Sequence, residues 1–188
     1  EYSHPSAKKD TVSGGNVGWL EKLYVNGGYA YAVNWMSGLY IVDISTPSSP
    51  TLVGHYDLST AGASVQEVFV SGNYAYLTDL YSGLRIIDVT NPASPTLKGT
   101  IAPGDGQGYW RVYVKGNYAY VANWGKGLEI INIANPSFPN TTGSYDTDVW
   151  AEGVHLQGNY LYMADGTGGL RVIDVNTPAS PKPAGNYD

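Results

Sequence analysis

The segment Gly-x-Tyr-x-Tyr occurs four times in this 188-residue chain, at 27–31, 72–76, 116–120 and 158–162, with spacings of 45, 44 and 42 residues. Three further blocks follow every copy in the same order. The first is a Gly-Leu-x-Ile/Val-Ile/Val-Asp/Asn run at 38–43, 83–88, 127–132 and 169–174. A paired-proline turn comes next, at Pro47/Pro50, Pro92/Pro95, Pro136/Pro139 and Pro178/Pro181. A glycine closes each unit, at Gly54, Gly99, Gly143 and Gly185. A chain built this way is an array of small units that bury their apolar faces against one another.

Each unit reads as four short strands. The first is an apolar alternation such as Leu23/Val25 or Val68/Val70, and a Gly-Gly or Gly-Asn turn supplies the positive φ of a tight hairpin. The Tyr-x-Tyr run is the second strand, since aromatic side chains suit a pleated surface. The Leu-x-Ile-Ile run is the third, and its near-continuous apolar character implies burial on both faces. The fourth follows the prolines, which cannot donate to a sheet ladder and therefore mark a crossing or an outer edge. No segment shows a 3.6-residue apolar period, so helical repeats are excluded. The 24 Gly, 17 Tyr and 11 Pro, with 14% charged residues, agree with an all-β chain.

These features predict an all-β β-propeller of four four-stranded blades, with approximate bounds 16–57, 58–102, 103–146 and 147–188. Four blades lie at the lower limit of propeller sizes. Three closures are open: a four-bladed ring, part of a larger ring made with a second chain, or a polymer. Residues 1–15 read as an N-terminal leader, either a disordered tail or a donated strand. The start at Glu1 without a Met reads as a processed or trimmed chain.

The Leu-Tyr-Ile-Val-Asp and Leu-Arg-Ile-Ile-Asp blocks, with Asn-Tyr-Ala-Tyr before and Asn-Pro-Ala-Ser-Pro after, resemble the LVIVD-repeat family over residues 16–188. The resemblance implies a bacterial or archaeal surface or secreted β-propeller, and so an extracellular or cell-surface location. Asn132 in place of the Asp, and Pro136-Ser137-Phe138-Pro139 in the third turn, depart from the pattern. The Asn argues against a shared ligand at that position. Asp43, Asp88 and Asp174 read instead as turn residues that bond the backbone.

Two sets of residues are candidates for binding. A polar set precedes each first strand, near the expected axis: Glu21 and Lys22, Gln66 and Glu67, Trp110 and Arg111, and Glu152. It is either solvated lining or a polar pocket in which Arg111 grips a carboxylate. A rim set follows each second strand: Asn34 and Trp35, Asp79 and Tyr81, Asn123 and Trp124, and Asp165. Aromatic rings beside amides suit a glycan, a protein partner, or wedging between blades. Trp19 and Trp150 occupy matching positions and read as packing residues. His155 replaces Tyr24, Phe69 and Tyr113 in the repeat and is expected to pack as they do, whereas His55 should be exposed.

Other chemistry is sparsely signalled. The loop Pro103–Gly108 lacks the Lys-Ser/Thr of a phosphate loop and the spaced acidic ligands of a calcium-binding loop, Asp146-Thr147-Asp148 is a similarly weak metal signal, and both read as connections between blades. No metal or cofactor is expected. Asn140-Thr141-Thr142 is a glycosylation candidate. The net charge of −6 disfavours nucleic acid, and no apolar stretch reaches the roughly 20 residues of a membrane span. With no cysteine, there is neither a disulfide nor a thiolate nucleophile. The leading expectation is a non-enzymatic module acting through self-association or another surface protein, with a filament or surface oligomer as its structural form. A carbohydrate-binding propeller is the alternative, and a hydrolase or lyase using Glu21, Arg111 and Glu152 is the third reading.

Overall fold

The computed structural model describes residues 20–59, 62–104, 108–147 and 149–188. The expected leader at 1–15, Trp19, part of the Pro103–Gly108 loop, and Asp148 of the Asp146–Asp148 segment lie outside them.

Four antiparallel four-stranded sheets follow one another along the chain, each with its strands in chain order. The first unit holds β1 (Lys22–Asn26), β2 (Tyr29–Asn34), β3 (Gly38–Asp43) and β4 (Thr51–Asp57). The second holds β5 (Val65–Ser71), β6 (Tyr74–Asp79), β7 (Gly83–Asp88) and β8 (Thr96–Ile101). The third holds β9 (Tyr109–Lys115), β10 (Tyr118–Asn123), β11 (Gly127–Asn132) and β12 (Asn140–Tyr145). The fourth holds β13 (Gly153–Gln157), β14 (Tyr160–Ala164), β15 (Leu170–Asp174) and β16 (Lys182–Tyr187).

The first hairpin of every unit turns on the predicted glycine, with φ of +60° at Gly27, +57° at Gly72, +58° at Gly116 and +62° at Gly158. An L side chain is strained there, which is why glycine recurs at that place. First strands abut in chain order, β1 on β5, β5 on β9 and β9 on β13. Along this line Tyr24 packs on Phe69 with ring centres 4.7 Å apart, Phe69 on Tyr113 at 5.2 Å, and Tyr113 on His155 at 5.1 Å. His155 thus packs as its aligned aromatic residues do.

Apolar seams join the units. We call the side of a sheet that meets the next unit its leading face and the other its trailing face. The leading face of unit one (Tyr31, Leu39, Ile41) packs on the trailing face of unit two (Val68, Val70, Ile87). The same positions recur between units two and three and between units three and four. The third strands β3, β7 and β11 are therefore apolar on both sides, as expected.

Every pairing of third and fourth strands carries a bulge that the sequence did not announce, between Ile41/Val42, Ile86/Ile87, Ile130/Ile131 and Val172/Ile173. The bulge comes just before the closing glycine and re-aims the outer strand. In three units that glycine lies against the proline turn of the next unit. A Cβ on Gly54 would stand 1.9 Å from the carbonyl oxygen of Pro92, one on Gly99 2.1 Å from that of Pro136, and one on Gly143 2.2 Å from that of Pro178. Only glycine permits this approach of two backbones.

Candidate functional site

The two candidate sets of residues meet. Glu21, Lys22, Trp35, Gln66, Leu80, Trp110 and Arg111 line one cleft of about 220 Å³ where the starts of the first strands converge. Trp35 reaches it because its indole Nε1 donates to Ser64 Oγ in the neighbouring unit. Ser64 in turn takes bonds from Gln66 Nε2, at 3.0 Å to its hydroxyl and 3.1 Å to its carbonyl. Glu152 is not among the residues lining this cleft.

Arg111 is expected to meet a carboxylate, and the one it meets is the chain's own Glu67, at 3.4 Å. Its Nη1 donates to the carbonyls of Gln66 and Trp110, at 3.0 and 3.1 Å. Burial pushes the Glu67 carboxyl up, against the opposing pull of Arg111. The Arg111 guanidinium also sits 5.4 Å from the Trp110 ring centre. The result is a cleft with aromatic walls and a tethered cation.

Beside it, the indole of Trp124 lies between Trp110, at 4.7 Å, and Trp150, at 5.8 Å with the rings nearly parallel. Trp35, Tyr81 and Trp150 are exposed. Among the described residues no group of three or more His, Cys, Asp or Glu is placed to hold a metal ion.

Three of the four acidic and amide members of the rim set are buried, and Asn34 is partly so. Asp79, Asn123 and Asp165 are 0%, 1% and 0% exposed. Asp79 accepts from the backbone N–H of Tyr81 and Ser82 with one oxygen, and from that of Ser64 with the other. Asn34 accepts likewise from Met36 and Ser37, and Asn123 from Gly125. Asp165 holds Thr147 Oγ1 at 2.7 Å and Arg171 Nε at 3.1 Å. These groups satisfy backbone donors, a threonine hydroxyl or the half-buried Arg171 cation.

Asp43, Asp88 and Asp174 accept from Ser45, Thr90 and Asn176, the turn role the sequence suggests. Asn132 makes the same bond to Ala134. Asn140 is exposed at the start of the outer strand β12. His55 is exposed, stacks on Tyr40 at 4.2 Å, and lies 2.9 Å from the carbonyl of Ser37.

A second feature lies at the ends of the array. Leu39, Leu84 and Leu128 on the leading faces are 0% exposed, while their counterpart Leu170 in unit four is 41% exposed. Val68 on a trailing face is 1% exposed, and its counterpart Leu23 in unit one is 65%. Val25 and Tyr187 are exposed in the same way. Both ends therefore carry seam residues that are exposed where their counterparts in the internal seams are buried.

Four successive segments, residues 18–58, 62–102, 107–147 and 150–188, match the family model described as LVIVD repeat. The chain belongs to the LVIVD-repeat family. Each match brackets one four-stranded sheet. The crystal structure of the computationally designed Ika8 protein is similar, with a TM-score of 0.72 at 9% identity, over 89% of this chain and 49% of that one. The LVIVD chain thus spans about half the length of that protein. The crystal structure of the computationally designed Ika4 protein is similar with a TM-score of 0.70 at 8% identity, over 89% of this chain and 98% of that one. At such identities the likeness shows the fold alone. No curated protein matches.

Two arrangements in the LVIVD chain escaped the sequence reading. The Trp110–Trp124–Trp150 stack joins residues from different repeat positions, so alignment of the units separates what folding unites. The role of the closing glycine had a visible signal, its recurrence. Its cause is a neighbouring unit's backbone, which no single unit reveals.

Proposed function

We propose that this chain is a non-enzymatic β-propeller module of a secreted or cell-surface protein, acting through protein–protein contacts made by its two end faces. One observation carries the reading: unit one and unit four expose residues whose counterparts lie in the internal seams, Leu23 and Val25 at one end and Leu170 and Tyr187 at the other. Apolar faces of this kind mark association surfaces. The two faces differ from each other and match the two sides of an internal seam, so the favoured contact is head to tail. Light scattering across a wide concentration range tests this. Wild type should associate, and Leu23→Glu or Leu170→Glu should abolish association while leaving the circular dichroism spectrum unchanged. Wild type that scatters as a single chain at every concentration would end the reading.

The cleft favours a second reading, glycan binding. Trp35 and Trp110 offer apolar rings beside the polar groups of Glu21, Gln66 and Lys22. Rings of this kind stack on sugar faces while polar neighbours bond the hydroxyls. Trp35→Ala is expected to lower binding of a retained glycan at least tenfold with the fold intact. A blank glycan array for wild type would dismiss it.

A further inference from the structure

Gly185 is a seam glycine without a seam. At Gly54, Gly99 and Gly143 a Cβ would collide with the proline carbonyl of the following unit, whereas among the described residues a Cβ on Gly185 meets nothing within 4 Å. The bulge that aims those glycines is present here too, between Val172 and Ile173. Unit four therefore carries the backbone shape needed to receive a proline turn. By the repeat, the turn that fits is one like Pro47-Ser48-Ser49-Pro50, on unit one. The first-strand aromatic line likewise stops at His155, which is exposed, and begins at Tyr24.

We propose that a second copy of this chain covers both faces, with Gly185 and His155 of each copy against the Pro47 turn and Tyr24 of the other, closing a two-chain ring of eight blades. This rests on the reading of the end faces given above and names their partner.

The number follows from counting. Propellers close with about 4 to 8 blades, and the four described units leave seam residues exposed at both ends, Leu23 and Val25 at one and Leu170 and Tyr187 at the other. A second set of four units set against both ends gives eight, the top of that range. A head-to-tail contact repeated about a two-fold axis closes after two chains, and if the rotation does not close it grows a filament.

The test exploits the open space at Gly185. Gly185→Val should leave the thermal unfolding of the dilute single chain unchanged, because the added side chain meets nothing there, yet it should abolish the two-chain particle. Native mass measurement of wild type should give twice 20.1 kDa. Since the chain contains no cysteine, Tyr24→Cys and His155→Cys together allow selective linking with a short bismaleimide. The expected product is a covalent dimer and nothing larger. A ladder of trimers and above would overturn the ring while preserving head-to-tail contact. A two-chain particle unaffected by Gly185→Val would overturn the proposed seam. A single chain at every concentration would overturn both the ring and the reading beneath it.

Discussion

Asp43 and Asp88 each accept a hydrogen bond from a residue two positions on, and that bonding, through the side chains of Ser45 and Thr90 first and their backbone N–H second, holds both carboxyls below the ordinary 3.8. A lowered folded value means that the stabilisation is complete above about pH 3.8 and is lost as pH falls through the folded value. Asn132 makes the equivalent bond without a titrating group. Asp88→Asn is thus expected to keep the fold at neutral pH and move the midpoint of acid unfolding to lower pH, as read by circular dichroism between pH 5 and pH 2. An unchanged midpoint would show that this turn does not limit acid stability. The same residues show how far a sequence can be read at this scale. An Asp before a proline turn has one evident use, and it has that use here. Asp79 and Asn123 stand at strand ends before glycine-containing turns, where binding a ligand and capping the turn call for the same residue types. Only their burial separates the two.

At the scale of the strand and the seam, identical positions should respond differently according to whether a neighbour is present. Leu84→Ala removes a fully buried side chain and is expected to cost about 2–5 kcal/mol. Leu170→Ala, at the partly exposed counterpart, should cost the unassociated chain about 1 kcal/mol or less. Urea unfolding of dilute protein measures both. The closing glycines make a sharper pair. Gly99→Val forces a side chain onto the Pro136 carbonyl and is expected to lose roughly 1–3 kcal/mol or more, while Gly185→Val should be silent in the same experiment. Strand order, hairpin turns and the doubly buried third strand were legible because each depends on residues within one unit. The bulge was not, since it inserts Val53, Lys98, Thr142 or Ala184 without any distinctive residue type. The cleft was legible only in part: Glu21, Gln66, Trp110 and Arg111 of the polar set line it and Glu152 does not, while Trp35 joins them through Ser64 of the next unit, a contact across the seam.

For the molecule as a whole, the four described sheets in a row yield three seams and two ends with exposed seam residues. Stability in such an array is approximately a sum over units and nearest-neighbour seams, so closing a ring would add seams without changing any unit. Wild type is therefore expected to unfold at a temperature that rises with protein concentration, because association stabilises by mass action. Scanning calorimetry over a hundredfold dilution should reveal that shift, and Gly185→Val should remove it. The way Gly185 repeats the geometry of Gly54, Gly99 and Gly143 has a genetic consequence as well. A contact between two molecules and a contact within one molecule would here share a single stereochemistry, so a tandem duplication could convert one into the other by supplying a connecting peptide, with no substitution at the faces themselves.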